Sequence, residues 1–344
     1  MGEVGGLKVD RGVIGRLADV GDAAREVERL GYDGCWTAEI NHDPFLPLTL
    51  VAEQTTRIEM GTSIAVAFAR NPMTVANIGW DLQEFSRGRL ILGLGTQIKP
   101  HIEKRFSMPW SQPARRMREF VLALHAIWGC WQDGTKLSFD GDFYTHRLMT
   151  PMFVPEPHPY GVPKVAIAAV GELMTEMCGE VADGLIAHAF TTKRYFDEVT
   201  IPALHRGMAK SGRARADFEV MAPVFVVTGL DEAEIAAASA GTRKQIAFYA
   251  STPAYRKVLE LHGWGDLQTE LHQLSLAGQW DAMATLIDDE ILSTFAVVAP
   301  LDRLAAALRE HCAGIIDRVM VGLPATASED TVRAFIDEVR SPSL

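Results

Sequence analysis

The sequence predicts an α/β fold, a (β/α)8 TIM barrel, on three observations. Short apolar runs alternate with stretches of helical periodicity along most of the chain. The return into a strand repeats one kind of punctuation: Gly31-Tyr32-Asp33-Gly34, Ser86-Arg87-Gly88-Arg89, Val181-Ala182-Asp183-Gly184 and Gly314-Ile315-Ile316-Asp317. A helix that stops on Gly or Asp and feeds a strand, repeated, marks parallel βα units. Candidate strands then lie near 7–10, 33–37, 58–64, 89–94, 164–169, 184–188, 219–228 and 317–322. Eight of them fit a barrel better than an open doubly wound sheet, which would carry G-x-G-x-x-G after its first strand.

Taken in order, Leu17 to Leu30 has apolar residues at helical spacing, and Gly31 is its stop. Tyr32 to Thr37 is a short buried strand. Arg57 to Val66 and Arg89 to Gln97 are apolar runs that end on Gly, Thr and Ser. Between them Met73, Val75, Ile78, Leu82 and Phe85 recur at helical spacing. Small residues at both strand ends let a flat ligand lie against bare backbone. Residues 131–163, rich in Gly, Pro and aromatics, predict a hairpin and an extended loop as an insertion after strand four. Residues 242–293 predict a helical insertion after strand seven, with at least one of Phe248, Tyr249 and Tyr255 facing the cavity above strands three and four. No linker divides the chain, so residues 1–344 are expected to form one domain.

With 48% hydrophobic and 22% charged residues, the chain is globular. A formal net charge of −11 argues against nucleic acid or anionic lipid as a partner. No apolar run reaches membrane-spanning length, and the start lacks a basic-then-apolar signal. Cys35, Cys130, Cys178 and Cys312 stand far apart, as reduced buried thiols of a cytoplasmic protein would.

In a barrel the C-terminal strand ends line the site. Those ends supply Glu39, Asn41, His42 and Asp43, then Thr62-Ser63-Ile64, Gly95-Thr96-Gln97, Ala168-Ala169-Val170-Gly171 and His188. Glu39 taken alone reads as half of a structural ion pair; with His42 on the same loop, acid–base work is an equal reading. The chain has no H-x-H or H-x-x-x-H, no G-x-S-x-G elbow, no Walker loop and no lysine at a strand end. Metal hydrolysis, serine catalysis and Schiff-base chemistry therefore drop out, and no metal is expected. A polar, weakly ionic rim suits a cofactor that carries the chemistry itself.

Several segments resemble the bacterial-luciferase-like superfamily: Trp36-Thr37-Ala38-Glu39, Gly61-Thr62-Ser63-Ile64 with Arg70-Asn71-Pro72, and Arg89 to Thr96. Phe139 to Tyr144, Val165 to Ala169 and Glu180 to Gly184 extend the match in order through nearly the whole chain. Among its branches the sequence is most similar to the oxidoreductases that use the deazaflavin F420. The resemblance implies hydride transfer between F420 and a small organic substrate, or alternatively an FMN-dependent monooxygenase using O2 and a flavin reductase. It implies a non-proline cis peptide at Ser63-Ile64 beneath the ring and Glu39 near the ring's polar edge. Thr62, Ser63, Ile64, Gly95, Thr96 and Gln97 would hold the ring and ribityl chain. The Ala169-Val170-Gly171 turn, ahead of a helix near Glu172, would take the phosphate, since free amides and the helix dipole favour an anion. His42 leads as proton donor or acceptor, with Glu39 and His188 behind it. Lys99, His101, Lys104 and Arg105 read equally as a solvated helix face or as an attraction for an anionic tail. The sugar-phosphate dehydrogenase branch has His and Glu where this chain has Ile40 and Ile98, which disfavours a sugar phosphate. Relatives of this kind are often homodimers.

Overall fold

The computed structural model describes residues 6–341. In chain order its first elements are β1 (Lys8–Gly12), α1 (Leu17–Leu30), β2 (Gly34–Thr37), α2 (Leu46–Gln54), β3 (Glu59–Thr62) and β4 (Ala65–Val66). Next come α3 (Pro72–Phe85), β5 (Leu90–Gly95), α4 (Lys99–Lys104), α5 (Pro113–Asp133) and a hairpin, β6 (Phe139–Asp140) with β7 (Thr145–His146). Then follow β8 (Lys164–Ala168), α6 (Glu172–Val181), β9 (Gly184–Ile186), α7 (Lys193–Tyr195), α8 (Ile201–Ser211), β10 (Glu219–Pro223) and β11 (Phe225–Val227). The last stretch holds α9 (Glu232–Ala250), α10 (Arg256–Leu261), α11 (Gly265–Leu276), α12 (Trp280–Thr285), α13 (Asp289–Phe295), β12 (Ala296–Val298), α14 (Leu301–Cys312), β13 (Arg318–Met320) and α15 (Glu329–Arg340).

The main sheet runs β3-β2-β1-β13-β10-β9-β8-β5-β4, and β3 also pairs with β5, which closes it. β3 and β4 are the two halves of the predicted third strand, so the result is the (β/α)8 barrel expected. β5 (LILGLG) is buried at every position, as a strand covered on both faces must be. A Cβ on Gly93 would lie 1.7 Å from the carbonyl oxygen of Thr62, so only glycine lets β3 approach β5 there.

The chain divides into two compact units, an N-terminal one of Arg11–Ile186 with Ala203–Glu219 and a C-terminal one built from the rest. In the N-terminal unit Arg89 ties α2 to β5: it donates to the Ala52, Thr55 and Ile58 carbonyls at 2.8–3.1 Å. The expected hairpin is present, and Glu119 of α5 accepts from the Asp142 and Phe143 amides of its tip.

The C-terminal unit departs from expectation in two places. The predicted strand at 219–228 is two strands: β10 pairs with β13, whereas β11 pairs in parallel with β12 in a small separate sheet. The helix expected from Thr242 starts at Glu232, where the Asp231 carboxylate caps the Glu234 amide at 2.8 Å. Only Thr242, Ile246, Ala247 and Ala250 of α9 are buried, so its first half carries no apolar period to read. No helix among the described residues is long and apolar enough to cross a membrane.

Candidate active site

In the N-terminal unit the C-terminal ends of β2, β4, β5 and β8 bring most of the expected residues to one rim. The Ser63–Ile64 peptide is cis. Ile64 lies across β5, and a Cβ added to Gly95 would meet its side chain at 2.8 Å and the Ala168 Cβ at 3.4 Å. The rim therefore has a floor of one isoleucine over bare glycine backbone. Gln97 is left-handed (φ 60°) and folds back, its side-chain oxygen accepting the Ile98 amide at 3.0 Å. Thr96 donates to the Gln97 carbonyl at 2.9 Å.

Thr62 departs from its expected part. It is fully buried and donates to the Gly93 carbonyl at 2.5 Å, so its hydroxyl pins β3 to β5 beneath the floor and is unavailable to a ligand.

Glu39 also takes a structural place. Its Oε2 accepts the Val66 amide at 2.7 Å and Arg70 Nη1 at 2.6 Å, with the side chain 7% exposed. Arg70 reaches onward to Asp43 at 3.4 Å, and Asp43 accepts the Phe45 and Leu46 amides. With Oε2 engaged by the Arg70 guanidinium and the Val66 amide, Glu39 takes the ion-pair place, one of its two readings, and ties the rim loop. The sequence contained Arg70 beside the Asn71 cap of α3, but nothing local announced its partner across the strand ends. His42 follows on the same loop, exposed and hydrogen-bonded to no described residue.

The Ala169-Val170-Gly171 turn opens α6 as expected. Gly171 has φ 81°, and nothing lies within 4 Å of where its Cβ would be. The first helical amides are unsatisfied by the helix itself, and Glu172, which would repel an anion, is drawn to Arg206 at 3.1 Å. Of the basic group past β5, Lys99 pairs with Glu103 at 3.8 Å and Arg105 donates to the Ile40 carbonyl at 2.8 Å.

His188 belongs to the C-terminal unit. Its Nδ1 accepts the Phe190 amide at 3.0 Å, which places the proton of the neutral ring on Nε2. Tyr255 stacks on the ring and Tyr249 meets it edge-on, both with centroids 4.7 Å away. Burial pushes its pKa down to about 4. At neutral pH His188 is a hydrogen-bond donor and a poor base, which disfavours the acceptor half of its expected part as proton donor or acceptor. Phe248, by contrast, is exposed and lies beside Trp280. Among the described residues no group of three or more His, Cys, Asp or Glu is placed to hold a metal ion.

Known proteins share this sequence pattern and this fold. An uncharacterized protein of Mycobacterium tuberculosis is 65% identical over 340 residues, covering 99% of this chain and all of its own length. The 5,10-methylenetetrahydromethanopterin reductase of Archaeoglobus fulgidus is 26% identical over 305 residues, covering 86% of this chain and 87% of its own. Among solved structures, the coenzyme F420 dependent tetrahydromethanopterin reductase of Methanopyrus kandleri superposes with a TM-score of 0.77 at 19% identity, covering 97% of this chain and 98% of its own. Residues 4–318 match the luciferase-like monooxygenase family, and the chain belongs to that family of oxidoreductases.

Proposed function

We propose that the protein is an F420-dependent oxidoreductase acting on a small organic substrate. The observation that carries this reading is in the N-terminal unit, where the Ile64 side chain lies directly against Gly95, 2.8 Å from where a Cβ would be. A planar tricyclic ring fits where the backbone is this bare. The Gly171 turn fits the anionic end of the same molecule, because the first amides of α6 lack partners within the helix and nothing lies within 4 Å of the Gly171 Cβ position. The F420-dependent relatives support the choice of cofactor. When bound, the deazaflavin supplies a hydride donor or acceptor at its C5 carbon.

The chain's own residues supply orientation and a proton. Ile64 and Gly95 set the plane of the ring. Glu39, neutralised by Arg70, fixes the loop that carries His42, and His42 is the group free to give or take a proton at the substrate. Ser63, Thr96 and Gln97 offer polar groups along the cofactor edge, and Ala169 and Val170 frame the anion turn.

Equilibrium titration of the purified protein with F420 and with FMN tests the proposal. F420 is expected to bind at least ten times more tightly, about 1.4 kcal/mol. Equal or reversed affinities would move the assignment to an FMN-dependent monooxygenase. His42→Gln should lower kcat while leaving F420 affinity unchanged; an unchanged kcat would remove His42 from the chemistry.

A further inference from the structure

The cluster around His188 in the C-terminal unit has hydrogen-bonding capacity to spare. His188 Nε2 and the hydroxyls of Tyr249 and Tyr255 bond no described residue, and all three side chains are half-buried. The rings stand close together. Tyr255 lies 4.7 Å from His188 at 27°, Tyr249 lies 4.7 Å from it at 83°, and the two tyrosines are 6.1 Å apart. Polar groups that lose water without gaining a bond are raised in free energy, so an incoming acceptor stabilises them more than it would exposed groups.

The surrounding unit holds these rings in place. The Phe190 amide fixes the plane of His188 by donating to Nδ1 at 3.0 Å. Phe190 itself is buried and stacks on Phe295 with centroids 4.4 Å apart. Tyr249 lies in the last turn of α9, and Tyr255 ends the short turn that follows. Between them the Ser251 carbonyl accepts from Gln268 Nε2 at 3.3 Å and lies 3.1 Å from His272 Nδ1, both on α11. The Thr252 amide closes on the Tyr249 carbonyl, and the Tyr255 amide on the Thr252 carbonyl. A site braced in this way loses little further entropy when a ligand enters.

Charge and polarity select the occupant. Burial alone lowers the pKa of His188, so its ring is neutral and Nε2–H only donates. The Tyr255 hydroxyl keeps its proton, its pKa pushed up to about 12 by burial and then by the Tyr249 phenol beside it. No charged side chain contributes to either shift, so nothing here balances a charged guest. We propose that His188, Tyr249 and Tyr255 form a binding site for an uncharged carbonyl compound, whose oxygen accepts from His188 Nε2 and a phenol while its carbon body lies against the rings. A carboxylate would enter without a counter-ion, and an ammonium would bring donors to a histidine that only donates. The site belongs to the C-terminal unit alone and does not depend on which cofactor the N-terminal unit takes.

NMR titration of the full chain, isotopically labelled at its histidine nitrogens, with cyclohexanone provides the test; His188→Gln identifies the His188 signal by its loss. Cyclohexanone is expected to shift the His188 Nε2 resonance saturably with no cofactor added. Tyr249→Phe combined with Tyr255→Phe keeps both rings and should raise the cyclohexanone dissociation constant about tenfold. Cyclohexanecarboxylate, with the same ring size and a charge, should bind about tenfold more weakly than cyclohexanone. An unmoved His188 signal, equal binding of the carboxylate, or wild-type affinity in the double variant would each overturn the proposal. Should the double variant fail to fold, Tyr255→Phe alone decides, with a loss of about threefold expected and unchanged affinity overturning it.

Discussion

In the C-terminal unit Asp10 and Arg318 meet through two hydrogen bonds of 2.8 and 2.9 Å, with neither side chain exposed. In the N-terminal unit Glu39 and Arg70 meet at 2.6 Å, with 7% and 16% of their side chains open. Both pairs join an acid on or just past a strand to a guanidinium from elsewhere in its unit, yet their surroundings differ. The first spans the β1–β13 register from one end to the other, Arg318 lying opposite Lys8 and Asp10 opposite Met320, where a lone charge has no water to turn to. The second sits past the strand ends, shares its arginine with Asp43, and keeps an edge towards solvent. The dry pair secures strand order. The half-open pair secures the loop that presents His42.

Asp10→Asn should have the largest effect, a loss of about 3–5 kcal/mol of unfolding free energy, because Arg318 stays charged and buried without its carboxylate. Urea denaturation measures it; a loss under 1 kcal/mol would mean the two pairs are equivalent. For His188, the folded state prefers the neutral ring, with a pKa near 4 against about 6.5 when unfolded. The stability this group contributes is fully present above pH 6.5 and is lost as the pH falls towards 4, by up to about 3 kcal/mol. His188→Phe should flatten that part of the stability profile, and an unaltered profile would place the ring in water.

Arg70→Ala is expected to cost about 1–2 kcal/mol of stability, less than the dry pair, since the freed Glu39 can reach solvent. Cofactor affinity and kcat should fall with it, because the rim loop loses its tie; normal kinetics per folded molecule would make the half-open pair purely structural. Gly171→Asp should weaken cofactor binding about tenfold, near 1.4 kcal/mol, by setting a carboxylate where an anion is expected. Gly171→Ala separates charge from backbone strain at the positive φ. If the two variants weaken binding equally, the phosphate lies elsewhere.

Much of the fold was legible because its signals are local. Gly31 ends α1 in the left-handed region, and Asn71 caps α3 with Pro72 following, each within a turn of the residue it governs. The apolar run at Leu90 to Gly95 declares a strand covered on both faces. The order of the rim was legible too, since strand ends follow from strand positions. What the sequence alone did not settle were the partners. Whether Glu39 forms an ion pair depended on Arg70 arriving from 31 positions away. Whether Thr62 meets a ligand depended on the Gly93 carbonyl, equally distant along the chain. His188 became a neutral donor only when Tyr249 and Tyr255, more than sixty residues later, closed around it. Propensity, capping and periodicity act over a few residues and are written in the chain; desolvation and ion pairing depend on what packs nearby, and only the tertiary structure decides that.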